Sequence, residues 1–277
     1  MGKIPDLVWR WLVPLVVLAL LGGLALLWLW PTRAPVRQAG WQQEAGGFAV
    51  KAGARRLFTF DGVKDRVFAA DSPEVHFEAG QDFSIEAWIK AYPAASPFAL
   101  RLVNFLLAHP SAGRLAPRTV AQWLQARSRD NDFGAMPIVD KHHPVSTIEA
   151  VGFQLYLDHG RLACQLASAP MRPLAFSNYI SPGPPLQDGR WHQVAMTVQR
   201  TAATGGRLYL DGQVVLTFDP TGQGGDLSNT EPLRIGNHAN PSLYCFFKGA
   251  IGGVTVYRRV IPAEAVAAEY LAGPPKR

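Results

Sequence analysis

Catalysis by this 277-residue chain would have to come from its carboxylates, its 7 histidines or its 2 cysteines, so their spacing bounds its chemistry. Hydrolysis of a glycosidic bond needs two carboxyl groups across the sugar, roughly 5 Å or 6.5–9.5 Å apart according to mechanism. On a strand such pairs come as acidic residues two apart, and there is no E-x-D-x-x-E run; Glu86 stands alone in its predicted strand and Glu149 lies in a predicted loop. The sequence holds no G-x-S-x-G elbow and no H-E-x-x-H pair. His142 and His143 are adjacent, so in a strand their side chains diverge and make a poor shared metal site. No glycine-rich loop joins a strand to a helix, which argues against a nucleotide. The expectation is a non-enzyme with no catalytic and no cofactor-binding residues, each histidine being a satisfied structural group.

Calcium takes roughly 6–8 oxygens, mostly from loops. Asp61, Asp65 and Asp71 gather near one turn, and Asp226 and Asn229 share a later loop. Either set is a possible contributor to a calcium site, but Asp-Gly turns explain such residues without metal, so the metal ligands stay unassigned. Cys164 and Cys245 lie in or beside predicted strands. In an oxidising compartment they are expected to bridge, which requires Cα atoms within about 7 Å. Two buried thiols is the other reading, and two cysteines are too few for a cysteine-based zinc site.

The elements that would position these groups are mostly strands. The stretch 188–212, DGRWHQVAMTVQRTAATGGRLYLDG, reads as two strands with a small polar connection ending in two glycines. Asp211-Gly212 is a tight-turn signal, and a third strand follows over 213–218. Three antiparallel strands in a row must bury one face. Phe83, Ile85, Ala87 and Ile89 alternate with Ser84, Glu86, Trp88 and Lys90, the pattern of a half-buried strand. Phe153, Leu155 and Leu157 alternate before the turn Asp158-His159-Gly160, and Leu162, Cys164 and Leu166 continue inward. Pro262 opens a short helix that stops at Gly273-Pro274.

These segments together resemble the laminin G-like, or concanavalin A-like, jelly-roll domains. WHQVAMTV with GGRLYLDGQVV carries the central signature; LFTFDGVKDRVFA (57–69), DFSIEAWIK (82–90), GFQLYLDHGRLACQL (152–166), EPLRIGNHA (231–239) and FFKGAIGGVTVYRRVIPAEAV (247–266) follow in family order. The resemblance covers most of 55–272. It implies an all-β, two-sheet antiparallel jelly-roll sandwich that binds glycans or proteins, sometimes with calcium. Many relatives have an Asp-Glu pair in the closing strand where this chain has Gly252-Gly253, so no metal site is carried over.

Three features lie outside that pattern. Residues 11–30 carry no charge, about the 20 residues needed to cross hydrocarbon, with Trp9 and Trp11 at one end and Trp28 and Trp30 at the other. The expectation is a single transmembrane helix within an anchor segment 1–31, with a cleaved signal peptide as the alternative. Residues 32–54, with Pro35, Gly40, Gly46 and Gly47, read as a juxtamembrane linker to a domain over 55–277. The stretch 93–135 is an insertion longer than ordinary strand connections. It is apolar at Phe98, Leu102, Phe105 and Leu106, basic at Arg101, Arg114, Arg118, Arg127 and Arg129, and partly helical over 117–127. It is expected to cover Trp88, and reads as a cap over a sandwich edge or as a docking surface.

A formal charge of +6 without dense Lys/Arg excludes an ordinary nucleic-acid binder. The expectation is therefore a single-pass membrane protein with its amino terminus in the cytoplasm and its domain periplasmic or extracellular. Its partners would be membrane lipid through residues 11–30 and a membrane protein, and it would serve as a recognition or accessory subunit of a membrane complex. The alternative is a carbohydrate-binding, lectin-like module, with calcium or without it.

Overall fold

The computed structural model describes residues 37–44, 47–51, 57–62, 65–93, 135–144, 150–169, 176–239 and 245–275. These residues form β1 (Arg37–Glu44), β2 (Gly47–Lys51), β3 (Leu57–Asp61), β4 (Val67–Ala69), β5 (Phe83–Ala91), β6 (Ala135–Asp140), β7 (His143–Pro144) and β8 (Ala150–Asp158). They continue with β9 (Arg161–Ala167), β10 (Phe176–Ile180), β11 (Trp191–Val198), β12 (Gly206–Leu210), β13 (Gln213–Phe218), β14 (Leu233–Ile235), β15 (Lys248–Tyr257) and one α-helix, α1 (Ala263–Ala272). The chain is all-β apart from α1 and two single turns of 3₁₀-helix among the described residues.

The strands follow one hydrogen-bonded path, β10-β9-β8-β6-β14-β4-β1-β2-β15-β5-β11-β12-β13, with β3 on β15 and β7 on β8. Two discrete sheets were expected. β1 joins the halves instead, its first residues running parallel to β4 and its last antiparallel to β2. Residues 37–51, expected as linker, therefore supply two strands of the sheet. The predicted turns are tight. His159 and Gly160 have φ 48 and 84, and Asp211 and Gly212 φ 50 and 77. Each pair closes a two-residue hairpin, between Asp158 and Arg161 and between Leu210 and Gln213. That geometry matches the right-handed twist of the flanking strands.

The core lies between the two halves of the path. Phe83 of β5 meets Phe153 of β8 at 5.4 Å between ring centroids, and Phe77 stacks on Phe83 at 4.2 Å and 13°. Ile85, Ile89, Leu155, Leu157, Val194, Met196, Ile235, Ile251 and Val256 are fully buried around them. Burying each such side chain contributes roughly 1.5–3 kcal/mol, so this layer dominates the stability.

β5 is buried on both faces, not one. Its outer face lies under α1. Trp88 is 3 % exposed, with its ring stacked on Tyr270 at 6.1 Å and 19°. Gln193 donates to the carbonyl of Val266 at 3.2 Å. Ala195, Tyr209, Ile261 and Val266 make a second apolar cluster beneath the helix. The terminal helix covers Trp88, where the insertion was expected to; 94–134 lies outside the described residues.

Two other expectations are corrected. Cys164 and Cys245 are both buried thiols, not a disulfide; Cys164 faces the core of β9, and burial pushes its thiol well above the ordinary range. Among the described residues no helix is long and apolar enough to cross a membrane. The apolar run 11–30 lies outside the described residues. The expected single-pass anchor, the lipid and membrane-protein partners and the periplasmic or extracellular placement find no such helix among the described residues and are withdrawn.

Glu86 is buried beneath α1 and accepts the hydroxyl hydrogen of Tyr257. Burial and the nearby charge of Glu269 push its carboxyl up to about 7, against the opposing bond from Tyr257. Because the folded value exceeds the unfolded 4.5, the folded state holds an extra proton between them. Stability therefore falls as pH rises through that window, by on the order of 3 kcal/mol. Glu86→Gln keeps an acceptor for Tyr257 and removes the buried charge. Thermal unfolding across about pH 5–8 should show a higher Tm for the variant at the alkaline end and a flatter profile. An unchanged profile would show that Glu86 does not titrate there.

Candidate functional site

Strand register builds one transverse row on the outer face of the β10–β1 half. Cα pairing runs Gln38–Phe68, Phe68–Arg234, Arg234–Asp140, Asp140–Gln154, Gln154–Gln165 and Gln165–Asn178. The alternate residues Val139, Phe153, Leu155, Cys164 and Leu166 point into the core, so the period of two places the whole polar row on the opposite face. Tyr156, Ala163 and Ile180 form the next row.

Asp140 is the centre of this row. Fully buried, it accepts from the amides of His142 at 2.9 Å and Ala239 at 3.1 Å and from Gln154 at 3.2 Å. Burial alone would raise its carboxyl. The charges of His238 and His142 and the amide bond outweigh that and hold it at about 2. The His142 and His238 rings stack at 6.4 Å and 22°. His142 Nδ1 lies 3.4 Å from Asp140 Oδ1 but out of line for a hydrogen bond. Both His142 ring nitrogens and Asn237 Oδ1 are buried without a hydrogen-bond partner, a condition that folded proteins seldom leave uncompensated. At the open end Gln165 donates to Asn178 at 2.8 Å, at the surface. At the other, Arg234 lies over the Phe68 ring at 5.9 Å and donates to Glu231 at 2.6 Å.

The strand end is pinned by Lys141, which is fully buried. Its Nζ donates to Asp71 Oδ1 at 2.9 Å, to the Asn229 carbonyl at 2.7 Å and Oδ1 at 3.0 Å, and to the Glu231 carbonyl at 2.5 Å. Burial tends to lift the Asp71 carboxyl, but bonds from Lys141 and His76 hold it below its ordinary range. Burial lowers Lys141, opposed by Asp71. Asn229 Nδ2 donates back to the Lys141 carbonyl at 2.8 Å and to that of Val151 at 3.0 Å. Gly152 permits this approach. Its φ is +136, and a Cβ there would lie 2.0 Å from the Lys141 carbonyl.

Of the carboxylates singled out for calcium, the structure brings Asp71 to Asn229, with an ammonium between them. Asp61 and Asp65 accept from each other's amides at 3.1 and 2.9 Å, and Asp226 accepts from Ser228 at 2.8 Å. These are turn contacts. His142 and His143 diverge as expected, the second reaching Glu231 at 3.3 Å. Among the described residues no group of three His, Cys, Asp or Glu residues is placed to hold a metal. Asp140, Lys141, Gln154, Gln165, Asn178 and Arg234 were missed. Gln154 and Gln165 were readable as the outward partners of the alternating apolar residues.

Asp140→Asn tests the centre. With a folded value of about 2 against 3.8 unfolded, Asp140 contributes about 2 kcal/mol. That stability is fully present above the unfolded value and lost as pH falls through the folded one. The variant should melt roughly 5 °C lower at neutral pH and lose its acid-side slope below about pH 4; a wild-type Tm would remove Asp140 from this role.

A profile described as the concanavalin A-like lectin/glucanases superfamily matches residues 104–267. No curated protein sequence matches the chain significantly. The binding domain of Paraclostridial Mosquitocidal Protein 1 aligns at 12% identity over 84% of this chain and 51% of its own, with TM-score 0.50. The botulinum neurotoxin serotype G binding domain gives 10%, 84%, 50% and 0.47. The Ruminococcus gnavus IT-sialidase CBM40 bound to α2,3-sialyllactose gives 12%, 69%, 84% and 0.45. At 12% identity the likeness to the first is one of fold alone, and the chain spans about half the length of the first two.

Proposed function

The chain belongs to the concanavalin A-like lectin/glucanases superfamily, and from that premise we propose that it is a non-catalytic, lectin-like recognition module. It binds carbohydrate on the outer face that carries the Phe68–Asn178 row. The observation that carries this reading is the row itself: a guanidinium, a carboxylate and three side-chain amides in register across neighbouring strands. Sugar hydroxyls both donate and accept, and the accessible amides of Gln165 and Asn178 match them, in register with the buried Gln154 and Asp140. Phe68, half-buried, offers aromatic surface beside the polar groups, the mix expected of a small-molecule site. The row holds a single carboxylate, Asp140, while glycoside hydrolysis uses two, which favours binding over cleavage. The partition into a domain over 55–277 with an insertion at 93–135 belongs to the same proposal, extended by strands β1 and β2. Docking through the insertion gains no support, since 94–134 lies outside the described residues.

A glycan array followed by calorimetry tests the reading. The protein should retain a sugar. Replacing Gln165 and Asn178 together by Ala should weaken binding at least about tenfold while the Tm stays within roughly 1 °C, because both lie at the surface away from the core. Retained affinity in the double variant would move the site elsewhere, and no binding to any glycan would reject the lectin reading.

A further inference from the structure

We propose that the Lys141 ammonium is a built-in cation: it fills an all-oxygen cage that would otherwise suit calcium, and a chain lacking that ammonium will take calcium there instead. Four oxygens converge on Nζ: one carboxylate oxygen of Asp71, the carbonyl and Oδ1 of Asn229, and the carbonyl of Glu231. An ammonium has only three N–H groups, so this donor set exceeds what a lysine needs. Carboxylate, amide and carbonyl oxygens are the ligands of calcium, at about 2.3–2.6 Å. The present 2.5–3.0 Å separations ask only a small contraction.

The cage is fixed independently of the lysine head group. Asn229 Nδ2 is held by the carbonyls of Lys141 and Val151, which aims Oδ1 inward. The Glu231 carboxylate is engaged by Arg234 and His143, which leaves its carbonyl to the cage. The sites around Asp71, β6 and Asn229–Glu231 are far apart in sequence, and one buried cation ties them. With a metal, water would complete the shell in the volume that the lysine stem vacates. A single carboxylate makes a weak site, about 10⁻³ M in the class of low-charge calcium sites. The consequence is a rim beside the outer face that needs no metal in the natural chain. This inference does not depend on what the face binds.

The test uses the full chain. Wild-type Tm should be the same in excess chelator and in millimolar calcium, and calorimetry should detect no calcium binding at the cage. Lys141→Ala should melt lower without calcium. It should recover about 4 °C at calcium ten times its dissociation constant, and sodium at matched ionic strength should not reproduce this. Adding Asp71→Ala should abolish the recovery. Lys141→Ser, which also vacates the stem volume, is the second variant if the first does not fold, and solubility of either only in calcium counts for the proposal. Destabilisation of the wild type by chelator would overturn it. So would a Tm of the lysine variants that ignores calcium, or insolubility of both with and without calcium.

Discussion

Two cations buried inside a β-protein set the terms for everything around them. Taking a charge out of water is tolerable only when it is paired and fully hydrogen-bonded. Lys141 meets that condition at Asp71, Asn229 and Glu231. Arg200, 1 % exposed, meets it in part: Nη2 donates to the carbonyls of Gln223 and Gly225 and the charges of Asp226 and Asp82 face it, while Nε and Nη1 are buried without a hydrogen-bond partner. Both hold the same long connection between β13 and β14. That connection is rich in Gly and Asp, yet Gln223 and Leu227 are buried, because a loop whose carbonyls accept from an internal cation must follow it inward.

The two outer faces of the sheet have different fates for a physical reason. The face of β5, β11 and β12 carries Trp88, Ala195 and Tyr209, and such apolar area is covered by α1. The face of β6, β8, β9 and β10 carries Asp140, Gln154, Gln165 and Asn178. It grades from a buried histidine–carboxylate cluster to an open pair of amides. The buried carboxylates on the two faces are driven in opposite directions. Burial raises Glu86, helped by the charge of Glu269, while at Asp140 the charges of two histidines outweigh burial and lower it.

The strand content, the Asp-Gly and His-Gly turns, the terminal helix and the alternation that defines the core were all determined by the sequence alone. Each depends on neighbours within a few residues, through side-chain period and backbone φ. The resemblance carried by WHQVAMTV and GGRLYLDGQVV extended that local reading to the right superfamily. Tertiary structure decided what covers Trp88, that β1 joins the halves of the sheet, that residues 37–44 and 47–51 are strands, and that Cys164 and Cys245 are thiols. It also decided the row itself. Asp140, Gln154, Gln165, Asn178 and Arg234 become neighbours only through the register of β6, β8, β9, β10 and β14. A one-residue slip would turn each of them to the other face. Likewise Asp71, Lys141 and Asn229, separated by 70 and 88 positions, meet because burial of one ammonium requires oxygens that no stretch of sequence around it supplies.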